Sequence, residues 1–354
     1  MRTNSERPLK LGMHTYTLHF FGLGESWGFG KDFFFPQTMD IFELMDRAVD
    51  WELDGLQVTK VDLGSTSPEH LEKIRKYAEE RDLFLEFNAS FNAGSDSRVN
   101  CTVDEALDIG HALNVDLVKF SLDIKRPRQL YGSCMHPDVM RQLADKYDIF
   151  KNAIPKLEEY GFKIAIENHT DTFADEILWL VDKLNHPHIG TCVDTMNPLQ
   201  VIENPYYAME RMLPKAFCCH FSDDLIVVDP LGVHDIGAPH GQGSMDCPLM
   251  IKQIREKSPM DRIIFENRTL EAVHQLTVDL DVLIQIGNHH ATALGLYHYY
   301  HRPVAIELDI RSALKGSRIC NRQFRTVSRH RFLSRKAVLI RLAVEGHGKA
   351  ADLV

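Results

Sequence analysis

No apolar run in this 354-residue chain is long enough to cross a bilayer, and the opening MRTNSERPLKLGMHTY has no apolar h-region. A cytoplasmic soluble protein is the expectation. Basic charge is also scarce: 40 Lys plus Arg stand against 50 Asp plus Glu, a formal charge of -10 at pH 7. That balance argues against a nucleic-acid backbone as the main partner, because phosphate binding relies on a basic face. No G-x-G-x-x-G follows an early strand and no Walker A run is present, so nucleotide binding has little support. The seven cysteines, Cys101, Cys134, Cys192, Cys218, Cys219, Cys247 and Cys320, form no C-x-x-C pair and no zinc-finger spacing. They read as buried thiols of a reducing compartment.

What the chain does contain is repetition. Short apolar runs rich in β-branched residues alternate with helical patterns, the signature of βα units around a parallel sheet. Strands are expected at 9–15, 54–59, 83–88, 115–121, 162–168, 188–194, 215–222 and 261–267. Helices are expected at 38–51, 68–81, 101–113, 136–160, 173–184 and 246–257, the second of these capped by Ser67 with Pro68 in its first turn. Eight strands with intervening helices favour a closed (β/α)8 TIM barrel over an open doubly wound sheet.

The expected organisation is a catalytic barrel over 1–288 and an irregular basic extension over 289–354. The extension holds 12 Lys plus Arg and 4 Asp plus Glu, so it carries +8 while the remainder carries -18. It fits a basic appendage that docks on an acidic partner, a solvated tail, or sequence altered by a reading-frame change, and the last two are favoured together. Two long loops interrupt the barrel pattern. Residues 18–37 are dense in aromatics and glycines, and residues 223–245 carry His234 and His240 near glycines. Both would overhang the carboxyl ends of the strands, where barrel enzymes bind substrate. Phe33, Phe34 and Phe35 read equally as a substrate lid or as a plug or interface cover.

Four strands end in a polar group that packing alone does not explain: Glu167 closes FKIAIENH, Asp194 closes HIGTCVD, His220 closes AFCCHFSD and Glu266 closes RIIFENR. A charged residue at the carboxyl end of a barrel strand faces the site. Any one of these alone is more readily a salt-bridge or hydrogen-bond partner, but their repeated placement makes a metal site the better joint reading. Three carboxylates and one imidazole suit octahedral Mn²⁺ or Mg²⁺, with Co²⁺ possible, and leave positions for substrate oxygens.

The segments IAIENH, CVDTMNP, CCHFSD, GQGSMD and IIFENR resemble stretches of the xylose isomerase-like barrels, the sugar isomerases and epimerases that share a fold with the apurinic endonucleases. The resemblance spans residues 9–286 and implies a TIM barrel with a Glu, Asp, His, Glu metal site, Mn²⁺ being common. This chain departs from the pattern at Asn197, where many such enzymes have histidine. The endonuclease branch needs further His and Asp ligands, so a sugar is the better substrate.

A divalent ion that holds a carbonyl oxygen and a neighbouring hydroxyl makes the carbon between them acidic. In epimerases that this chain resembles, the glutamates matching Glu167 and Glu266 exchange the proton across the sugar, which implies that both positions serve as ligand and as acid/base. His169, two residues beyond Glu167, is the other candidate base, with a hydrogen bond to a ligand as its equal alternative. Lys119 can donate to a substrate oxygen, though a barrel salt bridge with Glu86 is the expected role. His14, Trp27, His240 and Arg268 are candidate substrate binders.

Proton removal next to a carbonyl leads to epimerisation, isomerisation or elimination, and a flat aglycone would suit the aromatic loop around Trp27. That loop, MHTYTLHFFGLGESWGFG, together with ENH on the fifth strand, resembles the large subunit of the bacterial C-glycoside deglycosidases. This narrower resemblance implies action on 3-oxo-glycosides, a Mn²⁺ site, a histidine base at His169 and assembly with a small β subunit. Sugar isomerisation or epimerisation stands beside it. A barrel that has lost activity and serves as a binding subunit is the non-enzymatic alternative, against which the four candidate ligands speak.

Overall fold

The computed structural model describes residues 8–26, 33–229, 232–267 and 274–277. Trp27, Arg268, Cys320 and the expected extension 289–354 lie outside the described residues. Eleven strands occur in it: β1 (Lys10–His14), β2 (Gly55–Val58), β3 (Phe84–Ser90), β4 (Leu117–Ser121), β5 (Lys163–Glu167), β6 (Ile189–Asp194), β7 (Ala216–Phe221), β8 (Asp223–Asp229), β9 (Gly232–Ala238), β10 (Arg262–Phe265) and β11 (His274–Thr277). The first seven and β10 form a closed parallel barrel in the order β1-β10-β7-β6-β5-β4-β3-β2. All eight expected strands are these.

The helices are α1 (Ile41–Asp50), α2 (Lys60–Leu63), α3 (Pro68–Glu79), α4 (Val103–Leu113), α5 (Pro137–Tyr160), α6 (Ala174–Leu184), α7 (Pro205–Met212) and α8 (Cys247–Lys257). Their starts follow from local chemistry. Asp40 accepts from the Phe42 and Glu43 amides while Glu43 accepts from the Asp40 amide, a reciprocal cap for α1. Ser67 accepts from His70 ahead of α3, and Thr102 accepts from Glu105 ahead of α4. No helix among the described residues is long and apolar enough to cross a membrane.

Apolar faces of the helices pack on the outside of the strands. Leu44, Ile74, Leu107, Phe150, Ile177, Met209 and Ile254 are all buried there, each such side chain contributing about 1.5–3 kcal/mol by leaving water. A second, small cluster fills the barrel interior: Leu117, Ala165, Cys192, Cys218 and Ile264. These residues stand two positions before the strand-end residues Glu167, Asp194, His220 and Glu266, or further down the barrel.

Two expectations need correction. Residues 223–245 are not a plain loop: β8 and β9 make an antiparallel hairpin that β11 extends to three strands. Its run LIVV has the β-branched composition of a strand, which the surrounding glycines and histidines obscured. Nor are all the cysteines buried, because Cys134 is exposed while Cys101, Cys192, Cys218, Cys219 and Cys247 are buried. Cys134 sits on the segment between β4 and α5, where no barrel layer covers it.

Candidate metal centre

One ligand atom from each of Glu167, Asp194, His220 and Glu266 lies within 4.8 Å of those of the other three, and all four residues are buried. Strand register explains the meeting. Glu167 pairs with Cys192 across β5 and β6, Asp194 pairs with His220 across β6 and β7, and His220 pairs with Ile264 two residues before Glu266. The four therefore come from adjacent strand ends at the same mouth of the barrel.

Each group is held by its surroundings. Asp194 Oδ1 accepts from the backbone amides of Met196 and Asn197, both at 2.7 Å. Asn168 bridges β5 and β6, accepting from the Asp194 amide at 2.8 Å and donating to the Asp194 carbonyl at 3.1 Å. The Gln57 amide donates through Nε2 to Glu86 at 2.9 Å, which leaves its Oε1 facing His220 Nε2 at 2.6 Å. Gln57 thus accepts the Nε2 proton, which makes Nδ1 the nitrogen available for a metal ion.

Nδ1 faces oxygens. His220 Nδ1 lies 2.8 Å from Glu167 Oε1 and 2.7 Å from Glu266 Oε2, yet neither His220 Nδ1 nor Glu266 Oε2 has a partner with hydrogen-bond geometry. One imidazole nitrogen and two carboxylate oxygens converge on a point that a positive charge satisfies, a proton on Nδ1 or a metal ion in its place. Titration behaviour shows that positive charge belongs at this point: burial opposes a charge on the His220 imidazole, but Glu167 and Glu266 overcome it and raise the ring well above its ordinary value. Burial pushes the Asp194 carboxyl up, and the charges of Glu266 and Glu167 add to it, to about 7. Burial also opposes ionisation of Glu167 and Glu266, but Lys119 and His220 outweigh it at Glu167 and His220 and His14 outweigh it at Glu266, holding both well below the carboxylate range. These residues fit a hard divalent ion on donor chemistry and on orphaned buried atoms.

The pocket above the cluster is lined by His14, Tyr16, Glu25, Asn88, Lys119, Ser121, His169, Thr170 and Asn197 in addition to Glu167, His220 and Glu266. His169 is half-buried on that wall. Burial lowers its imidazole, and Glu167 and Asp171 overcome the effect, so it stands above its ordinary value. His14 Nε2 accepts from the Asn88 side-chain amide at 2.8 Å, its Nδ1 lies 3.4 Å from Glu266 Oε2, and its ring stacks on that of His220 at 4.8 Å.

Lys119 does not pair with Glu86. Its ammonium forms an ion pair with Glu167 and donates to Ser121 Oγ at 2.7 Å, and Ser121 donates to Glu167 Oε2 at 3.0 Å. Register is the reason: Lys119 is level with Asn88, two residues and about 6–7 Å further up the barrel than Glu86. Glu86 instead faces Arg262 at 3.6 Å on the barrel floor.

His240 is not on the pocket wall. Its Nε2 hydrogen-bonds the Phe221 carbonyl at 2.6 Å and its ring stacks on Phe221, so the polar edge expected to bind substrate is engaged by backbone. The phenylalanines of the first loop are likewise absent from the wall. Phe33 is half-exposed, Phe34 lies under the Arg98 guanidinium at 3.6 Å, and Phe35 packs edge-on to Phe20 and Phe33. Sequence reasoning missed Gln57, Asn88, Ser121 and Glu25. The first three occupy inward positions on strands, a signal that alternation provides once register is known. Glu25 lies in irregular chain and had none.

Residues 45–283 match the family model described as xylose isomerase-like TIM barrel. A 3-oxo-isoapionate decarboxylase from Pectobacterium atrosepticum is 23% identical over 192 residues, which cover 53% of this chain and 63% of that relative. Among solved structures, the IOLI protein with a bound zinc atom superposes with a TM-score of 0.54 at 16% identity, covering 82% of this chain and 99% of that one. D-psicose 3-epimerase crystallised with D-fructose superposes with a TM-score of 0.51 at 14% identity, covering 88% of this chain and 99% of that one.

Proposed function

The chain belongs to the xylose isomerase-like TIM barrel family, and from that premise we propose a divalent-metal-dependent carbohydrate enzyme that removes the proton beside a sugar carbonyl. The observation that carries the proposal is the cluster of Glu167, Asp194, His220 and Glu266 within 4.8 Å under an open pocket. These four would hold the ion, Mn²⁺ being our first choice and Mg²⁺ or Co²⁺ the alternatives. When bound, the ion withdraws electrons from a substrate oxygen and so acidifies the adjacent C–H.

The chain's own groups divide the remaining work. His169 stands on the wall beside Glu167 with Nδ1 3.5 Å from Thr170 Oγ1, a contact too long to tie up the ring, and is assigned as the base that takes the proton. Lys119 and Ser121 orient Glu167. His14 steadies Glu266 through Nδ1. The apolar layer of Leu117, Ala165, Cys192, Cys218 and Ile264 lies beneath the site and lowers the polarity around it.

The finer reading is β-elimination from a 3-oxo-glycoside with release of its aglycone, as in C-glycoside deglycosidases, in complex with a small β subunit. A relative named for a 3-oxo substrate supports the 3-oxo group. Epimerisation or isomerisation is the second reading, favoured by the two carboxylates that flank His220 Nδ1 from Glu167 and Glu266. Incubation in D2O with Mn²⁺ and a flavonoid 3-oxo-C-glucoside, with and without a small partner, and separately with ketohexoses, decides between them. Aglycone release supports elimination, and deuterium at a sugar carbon without release supports epimerisation. Neither event under any condition overturns both readings. Full metal occupancy in Asp194→Ala overturns the metal site.

A further inference from the structure

We infer that Glu25 is a specificity-determining residue, its carboxyl reaching into the pocket to receive hydroxyl groups of a polyol substrate. The inference rests on the proposed carbohydrate pocket and deepens it. Glu25 lies in the first βα loop, just beyond the 3-10 turn Thr15–Phe21, and shares the pocket wall with His169, Thr170 and Asn88.

Its backbone is locked on both sides. The Gly24 amide donates to Asp62 Oδ1 at 2.6 Å, and the Ser26 amide donates to Asp96 Oδ2 at 2.9 Å. Both acids are buried and fixed in turn. Asp62 accepts from the Thr15 hydroxyl at 2.7 Å and from the Thr59 amide and hydroxyl at 2.7 and 2.9 Å. Asp96 is gripped by Arg98 through Nε at 2.8 Å and Nη2 at 2.6 Å. Gly24 itself has φ +63°, and a Cβ there would meet the Tyr16 nitrogen at 2.5 Å, so only glycine delivers the next residue in this direction. Two buried carboxylates thus fix the chain on either side of Glu25, the kind of support that holds a side chain in one position.

The side chain so delivered is left without a strong partner. Among the described residues, no Lys, Arg or His lies within ion-pair distance of Glu25, and its hydrogen bond from Ser95 Oγ is 3.5 Å long. Burial is the first influence on this carboxyl and raises it to about 7, with His169 opposing. A half-buried carboxyl held rigidly at a pocket wall gains most from ligand hydroxyls, which supply the missing donors. A sugar carries such donors on adjacent carbons, and a site built to hydrogen-bond them rejects the analogue that lacks one.

The test uses the full chain loaded with Mn²⁺, the variants Glu25→Gln and Glu25→Ala, and titration calorimetry with methyl 3-oxo-glucopyranoside and its monodeoxy analogues. Wild type is expected to lose about tenfold or more in affinity for one deoxy analogue. Both variants should bind the parent sugar more weakly and bind that analogue no worse than the parent. Glu25→Gln is nearly isosteric, so it reports even where the alanine variant folds poorly, and unchanged Mn²⁺ affinity confirms an intact metal centre. If both variants retain the wild-type ranking of deoxy analogues, Glu25 does not read hydroxyls. Deuterium exchange in the same samples separates this from the chemistry: lost selectivity with no exchange in wild type upholds Glu25 and overturns the proposed proton abstraction.

Discussion

Replacing Gln57 with leucine should weaken metal binding although residue 57 is not a ligand. The Gln57 side chain accepts from His220 Nε2 at 2.6 Å and donates to Glu86 at 2.9 Å, so it determines which imidazole nitrogen faces the carboxylates. Loss of a comparable partner behind a metal-bound histidine costs about 10–100-fold in metal affinity, or about 1.4–2.8 kcal/mol. The variant also leaves a buried donor on His220 and removes one from Glu86, at about 1–3 kcal/mol for each unsatisfied group. Calorimetric unfolding with and without Mn²⁺ separates the two effects. At free Mn²⁺ near 100 times the wild-type Kd, the ion should stabilise wild type by about 2.7 kcal/mol, and a hundredfold weaker variant by about 0.4 kcal/mol. The reasoning is refuted if the Mn²⁺ increment of Gln57→Leu matches that of wild type to within about 0.3 kcal/mol.

Three further outcomes are expected. Arg126 reaches both Glu176 oxygens at 2.6 and 2.5 Å and the carbonyls of Asp171, Leu130 and Ser133, so Arg126→Met should cost about 3–5 kcal/mol by stranding a buried charge, measured by urea unfolding, and a loss below about 1 kcal/mol would contradict the geometry. Burial pushes the Glu203 carboxyl up to about 8; because the folded state then holds a proton that the unfolded state releases, stability falls as pH rises from the ordinary carboxylate range through 8. Glu203→Gln should therefore raise Tm relative to wild type more at pH 8.5 than at pH 5, and parallel Tm curves would speak against it. Among the described cysteines, native labelling with iodoacetamide should modify the exposed Cys134 first, and slowly, since partial desolvation of its sulfur and the nearby Glu176 and Glu203 push its thiol up to about 12; mass spectrometry showing Cys247 or Cys101 modified before it would reverse the burial assignment.

The barrel strands were legible because each is a short apolar run bounded by turn residues, and the same pattern put Glu167, Asp194, His220 and Glu266 at equivalent ends. What a linear reading lacks is the stagger between strands. Whether Lys119 meets Glu86 or Glu167 depends on the β3–β4 and β4–β5 registers, which are tertiary facts. Gln57 likewise looks like an ordinary polar strand residue until β7 brings His220 beside it. Glu25 depends on Asp62 and Asp96, 37 and 71 positions further along the chain, and no local periodicity encodes such anchors. The β8–β9 hairpin was missed for a different reason, since its glycines and histidines masked a strand-forming run.

The two ends of a barrel are ordinarily treated as independent, one for durability and one for reactivity. Here a continuous line of contacts joins them: Arg262 to Glu86 at 3.6 Å, Glu86 to Gln57 at 2.9 Å, and Gln57 to His220 at 2.6 Å. The amide in the middle has one workable orientation, with nitrogen toward the carboxylate and oxygen toward the imidazole. Discharging Arg262 at the closed end would therefore be felt at the open end as altered affinity for the ion. A floor residue can be lost to function without any change in the mouth's own sequence.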